Sequence, residues 1–284
     1  MKFKAWLNLL LGAVAALLAY LAFQTEVTPS EKSRIAAMDS ARVTRITIGH
    51  KDQPEIRLVR EAAGWRLTAP IALPADPVRV DRLLDFAQTR SESSFPATTG
   101  LARYELDPPR ATLAFDDRRF EFGGSQPLSY HRYVRTGDTI HLALDTTYHH
   151  LIAPPTDYVD PKPVPAGAHI GAIRTPEFEV TQANGALRAS VAGTDSDAIA
   201  RFIENWRQAR AMTVRPLAED EAGAQGGASV ELRFDNQPVL TLTILKRDPE
   251  LVLARRDFPV VYVFPAEAVK RLLAIDTAAP RLPP

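Results

Sequence analysis

The chain has 284 residues, 45% apolar and 24% charged, the composition of a folded protein of one or two domains. Lys+Arg and Asp+Glu both number 34, so the formal net charge is zero and the basic field that nucleic-acid binding depends on is missing. There is no cysteine, which excludes disulfides, thiol nucleophiles, thiolate zinc sites and iron–sulfur clusters.

The first element is the uncharged run Ala5–Phe23, 19 residues long. At about 1.5 Å rise per residue it just spans a hydrocarbon core of roughly 30 Å. Lys2 and Lys4 precede it, while Gln24, Glu26 and Glu31 follow. The positive-inside rule then predicts a single-pass anchor with the N-terminus cytoplasmic and the rest of the chain across the membrane, with Trp6 and Tyr20 near the two interfaces. A cleaved signal peptide competes with this anchor, but Tyr20, Leu21 and Phe23 interrupt the alanines where a small-x-small site would lie. A buried core helix does not fit a run that has no polar face.

Residues 24–41 are polar and lack a period, as a stalk would. From 42 the apolar residues Val43, Ile46, Ile48, Ile56, Leu58, Trp65 and Leu67 nearly alternate with polar ones, predicting a three-strand meander with turns at 51–54 and 61–64. Asp76-Pro77 then opens a helix, the carboxylate accepting from first-turn N–H groups and the proline giving up a donor that had no partner. Val80, Leu83, Leu84 and Ala87 follow at helical spacing. Two hairpins come next, Ala111–Phe115 with Arg119–Phe122, and Arg132–Arg135 with Ile140–Leu144. A short helix over 147–152 closes the unit.

The same design recurs about 119 residues later. Asp76 falls on Asp195, Val80 on Ile199, Leu84 on Ile203, Ala87 on Trp206, Phe115 on Phe234, Asp116 on Asp235 and Asp138 on Asp257. The predicted organisation is therefore an anchor (1–23), a stalk (24–41), a first module (42–152), a Pro-rich linker (153–172), a second module (173–275) and a tail (276–284). Pro154, Pro155, Pro161, Pro163 and Pro165 stand too close together for regular structure in the linker. The fold class is α+β, with a transmembrane helix followed by two tandem antiparallel-sheet modules, each of meander, helix and two hairpins.

Gly64-Trp65, Pro70, Pro74-Ala75-Asp76, Gly100-Leu101, Tyr104, Leu106-Asp107-Pro108-Pro109, Phe122-Gly123 and Arg132-Tyr133-Val134, in that order, resemble the uncharacterised bacterial family DUF4340. The resemblance covers roughly residues 42–275. The second copy departs from it, with no tryptophan after Asn184-Gly185 and a Gly-containing stretch over 220–229 in place of the Asp-Pro-Pro element. The resemblance implies membrane-anchored proteins, many of them companions of ABC-type transport systems, including gliding-motility auxiliary components. It brings no catalytic residues.

Groups capable of chemistry do not converge in the sequence. The six histidines are His50, His131, His141, His149, His150 and His169. None forms a His-Glu-x-x-His pattern, and adjacent His149 and His150 point in different directions. His131 and His141 could face each other across their hairpin, but at the repeat offset they fall on Glu250 and Val260. His50 falls on His169. Asp116-Asp117 lies in a turn and Glu219-Asp220-Glu221 in the Gly-containing stretch, neither of them an acid–base pair across a cleft. Arg201, Arg207, Arg210 and Arg215 fit a solvated helix face, or else a site for a lipid headgroup, anionic glycan or acidic partner. Trp65 fits a meander residue that covers the helix, or a surface anchor for a partner.

No catalytic, cofactor-binding or metal site is assigned from these residues, and no cofactor is expected. The expected function is a non-enzymatic, membrane-anchored periplasmic accessory or scaffold protein that contacts an ABC-type transport complex by a sheet edge or the groove between the copies. The expected partners are the inner membrane, through residues 5–23, and a protein of that complex, with no nucleic acid. The alternative is a small-ligand or envelope-polymer binding module using the cleft between the repeats. A hydrolase using histidines of the first copy is the third possibility.

Overall fold

The structure, a computed structural model, describes residues 34–275 apart from 37, 52, 127, 128 and 184. The expected anchor over 5–23 and the tail over 276–284 lie outside the described residues. Among those described, no helix is long and apolar enough to cross a membrane.

β1 (Arg45–His50), β2 (Ile56–Glu61) and β3 (Gly64–Ala69) form the meander. They are followed by α1 (Pro77–Leu84), β4 (Ser91–Pro96), β5 (Ala111–Phe115), β6 (Arg118–Ser125), β7 (His131–Thr136), β8 (Thr139–Leu144) and α2 (Tyr148–Leu151). The order then repeats as β9 (Ile170–Arg174), β10 (Glu179–Ala183), β11 (Ala186–Ala189), α3 (Ser196–Arg207) and β12 (Thr213–Pro216). After α4 (Glu219–Ala222) come β13 (Ser229–Phe234), β14 (Leu240–Lys246), β15 (Glu250–Arg255), β16 (Val260–Pro265) and α5 (Ala268–Leu273).

The strands make two eight-stranded sheets, in the orders β3-β2-β1-β5-β6-β7-β8-β4 and β11-β10-β9-β13-β14-β15-β16-β12. Each strand of one order has its counterpart in the same place in the other, and the pairings given are antiparallel. The fold is α+β and the duplication is structural. Each copy also contains a strand that sequence periodicity misses. β4 and β12 follow the helix and pair with β8 and β16 at the sheet edge. β4 buries only Ser91, so it carries no apolar alternation to betray it.

Register corrects the offset of the meander. Ile46 pairs with Phe115 and Ile170 with Phe234, so Ile46 corresponds to Ile170, 124 residues on rather than 119. His169 therefore stands where the first copy has Arg45, and its match to His50 does not hold. The Asp116 carboxylate accepts the backbone N–H of Arg45 at 2.9 Å, whereas the Asp235 carboxylate meets the His169 ring at 2.8 Å.

By contacts the chain forms two compact units. Among the described residues, one comprises 34–40, Asp85–Arg110 and Phe120–Thr146. Its core holds Phe86, whose ring lies 5.0 Å from Phe120 and 5.2 Å from Phe122. The turn at Leu101–Leu106 sits directly on Gly123, where a side chain would strike the carbonyl oxygen of Tyr104. Buried Arg132 donates to Asp145 at 2.9 Å and to the carbonyl of Gly123, so the charge is satisfied where it is desolvated.

The other unit comprises Ala41–Leu84, Ala111–Arg119 and, among the described residues, 147–275. Both predicted helix starts are found in it. Asp76 accepts the N–H of Val78 at 3.1 Å and Asp195 that of Ala198 at 2.6 Å. α3 buries Ala198, Ile199, Phe202, Ile203 and Trp206. Its large apolar side chains contribute at most about 1.5–3 kcal/mol each. β16 is buried on both faces, which explains its unbroken apolar run Val260–Phe264.

Candidate functional site

The Pro-rich stretch contributes Asp157, Asp160 and Lys162 to two concavities of the larger unit. It was expected to lack regular structure, but Pro155–Tyr158 is a 3₁₀ turn and the residues after it are hydrogen-bonded on two sides. Leu73–Asp76 first lies along β3, with Leu67 N–H donating to Leu73 O at 2.8 Å and Ala75 N–H to Trp65 O at 2.9 Å. Tyr158–Asp160 lies along that segment in turn, Asp76 N–H reaching Tyr158 O at 2.8 Å and Asp160 N–H reaching Pro74 O at 2.9 Å. Pro161 O then accepts the N–H of Ala211, just before β12, at 2.9 Å. Prolines lack donors, yet their carbonyls still accept, and Pro74 and Pro161 are used in that way. Tyr158 is buried beneath this seam, its hydroxyl donating to His150 O at 2.5 Å, and burial raises its pKa above the ordinary phenol range.

Two concavities of about 280 Å³ each flank the seam. The first has apolar walls from Leu73, Phe234, Val239 and Phe258, and charged groups Arg66, Asp160, Lys162, Arg255 and Asp257. Arg255 grips Asp257 with two bonds of 2.8 and 2.6 Å and lies over the Phe258 ring. Burial works against ionisation of Asp257, but these bonds outweigh it and hold the carboxyl below the usual range. Burial pushes Asp160 upward, and the nearby charge of Asp76 adds to this. Arg66 donates to Ala72 O at 2.9 Å. Among the described residues, Arg66 and Lys162 have no carboxylate within ion-pair distance. The cleft thus pairs an apolar wall with two cations available to a ligand.

The second concavity is polar. It is lined by Asp76, Arg79, Thr156, Asp157 and Arg210, with Arg79 to Asp157 at 3.3 Å and Arg210 to Asp76 at 3.6 Å. Thr156 is buried and its hydroxyl has no partner among the described residues.

The family model described as Domain of unknown function (DUF4340) matches residues 65–220, more than half of the chain. The chain belongs to the DUF4340 family. No curated protein and no solved structure matches it. The DUF4340 match runs from β3 to α4, with the seam at its centre.

The sequence-derived candidates in this DUF4340 member are dispersed. Val134 pairs with His141 and Leu144 with His131, which puts the two histidines on opposite sheet faces rather than facing each other. His141 is buried, its Nδ1 lies 3.1 Å from Ser91 Oγ, and burial lowers its pKa. This Ser–His contact has the wrong polarity for activating a nucleophile. Ser91 donates its only proton to the carbonyl of Ser93 at 2.7 Å, so the imidazole must be the donor to Oγ. His149 and His150, expected to point in different directions, instead bring their ring centroids to 3.8 Å. Among the described residues, no group of three His, Asp or Glu could hold a metal ion.

Several of the remaining charges have local partners. Asp116 accepts the Thr44 hydroxyl at 2.7 Å as well as the Arg45 N–H. The 219–221 acidic run is helical rather than a loop, and Glu221 takes two bonds from Arg215, at 2.7 and 2.6 Å. Arg207 pairs with Glu204, Arg210 with Asp76 and Arg215 with Glu221, so three of the four arginines are tied to separate carboxylates. Trp65 is half-buried, with the Arg60 guanidinium 4.9 Å above its ring. Arg66, Lys162 and Asp160 had no sequence signal, being isolated charges that meet only through the seam.

Proposed function

We propose that this DUF4340 protein is a non-enzymatic accessory or scaffold component. It is anchored in the inner membrane by residues 5–23, presents its body to the periplasm and docks onto an ABC-type transport complex. The observation that carries the proposal is how the cleft's charges are used. Asp257 is committed to Arg255, and Asp160 accepts the backbone N–H of Lys162 at 3.0 Å. What the cleft offers outward is an apolar wall with Arg66 and Lys162, a combination suited to recognition. The membrane address is supported by the uncharged run and its flanking lysines. Crosslinking in native membranes, gentle solubilisation and mass spectrometry test the proposal. Stoichiometric recovery of transporter subunits supports it, and recovery of the chain alone removes it.

The same two cations favour a second reading, a periplasmic module for a small anionic ligand with an apolar body. Calorimetric titration with octanoate tests this. Saturable binding that is lost in the double variant Arg66→Ala, Lys162→Ala supports it, and no heat of binding at millimolar octanoate ends it.

A further inference from the structure

The duplication supplies an internal comparison of two equivalent sheet edges. The outer edge of β3 is covered by the chain's own Leu73-Pro74-Ala75. Leu67 N–H donates to Leu73 O, Ala75 N–H donates to Trp65 O, and Pro74 lies opposite Arg66. Pro74 needs no donor toward β3, because its neighbours on either side make the bonds. Leu73 and Ala75 are buried by this addition.

β11 holds the corresponding edge of the second sheet. Leu187 pairs with Gln182 in the place where Leu67 pairs with Leu58, each two residues beyond the equivalent positions Val180 and Ile56. Ala183 and Ala186 close a two-residue turn and so form a hydrogen-bonded pair. Alternation then turns the N–H and C=O of Leu187 and Ala189 outward. Among the described residues these groups have no partner. The residues that would cover them at the helix offset are Ala192-Gly193-Thr194. They form a turn with Ala192 and Gly193 exposed, and make no bond to β11. β11 has no proline and one charge, Arg188, so little but its shortness blocks strand addition.

We infer that the outer edge of β11 receives an extended segment of a partner protein by strand addition, and that the preferred segment has the hydrophobic–proline–small pattern that fills the equivalent edge of β3. Recognition comes from backbone groups at alternate residues, with a proline accepted between them because its nitrogen faces away. The proposal rests on the accessory reading for the identity of the partner, but the edge can be tested without one.

The probe is a peptide reproducing residues 70–77, added to the detergent-solubilised full chain and followed by hydrogen–deuterium exchange over 186–190. Saturable slowing of exchange there is expected. Ala189→Pro removes one outward donor and leaves the β10 ladder intact, so it should keep the wild-type melting curve and weaken peptide binding at least tenfold. Unchanged exchange at saturating peptide, or binding indifferent to Ala189→Pro, overturns the proposal. So does an edge already protected without peptide, if protection is lost on deleting 276–284 or grows with protein concentration. Those results would assign the edge to the chain's own tail or to a second copy. If transporter subunits co-purify with wild type and equally with Ala189→Pro, the accessory reading stands and the edge proposal falls. If no subunit co-purifies while the peptide still binds, the accessory reading falls and the edge stands.

Discussion

Trp206 on α3 donates its indole N–H to the carbonyl oxygen of Leu272 on α5 at 3.0 Å, with the ring wholly buried. One side chain thus supplies both the largest apolar surface of α3 and the hydrogen bond that satisfies the closing helix. Trp206→Phe keeps most of the volume and leaves a buried carbonyl unpaired, which should cost about 1–3 kcal/mol. Trp206→Ala adds a cavity and should cost about 3–5 kcal/mol. Urea unfolding of the two variants checks this. A Trp206→Phe protein as stable as wild type would mean that the hydrogen bond contributes nothing.

Asp116 should contribute a pH-dependent share of stability. Burial raises its pKa, but the bonds from Thr44 and Arg45 outweigh that and leave it below the ordinary carboxylate value. A depressed carboxylate stabilises fully above its unfolded pKa, and the contribution is lost as pH falls through the folded pKa. Asp116→Asn tolerates the positive φ of this position and retains one acceptor, so it should cost about 1 kcal/mol at pH 7. The difference from wild type should close below about pH 4 in melts taken across the acid range.

His141 gives the corresponding test near neutrality. Burial lowers its pKa, so the native state holds it neutral while the unfolded chain takes up a proton. Stability should therefore be full above about pH 6.5 and decline as pH falls below it. His141→Ala should cost about 1–2 kcal/mol at pH 7.5 and flatten that decline. Identical pH profiles for wild type and His141→Ala would refute the assignment.

Leu84 is buried on α1, and Leu84→Asp should destabilise the fold by about 3 kcal/mol or more through an unpaired buried charge. Ile203 on α3 corresponds to Leu84, and Ile203→Asp should do the same. Two melts indistinguishable from wild type would remove the helices from the core.

Features that a few neighbouring residues determine were legible in the sequence. Asp76-Pro77 and the Asp195 cap announce their helices because capping is a local reaction between a carboxylate and the next turn. The hairpins over 111–144 and 229–265 show apolar runs because their strands are deeply buried. β4 was hidden because Glu92, Ser93 and Ser94 are exposed, and a sheet edge needs only backbone groups. The seam was hidden for the same reason. Pro74, Asp160 and Pro161 take part through main-chain atoms, and no side-chain pattern records that. The cleft cations were invisible because Arg66 and Lys162 are 96 positions apart and meet only where the seam folds back.

The bonds at Asp160 and Pro161 bear on how the gene can be divided. A proline-rich run between two duplicated halves is the usual place to cut, by protease or by cloning. Here adjacent residues of that run hold Pro74 on one side and Ala211 on the other. A break at this point strips β3's covering segment of its outer partner and frees the approach to β12. Either half expressed alone would carry a raw edge into solution, and inclusion bodies are the expected product.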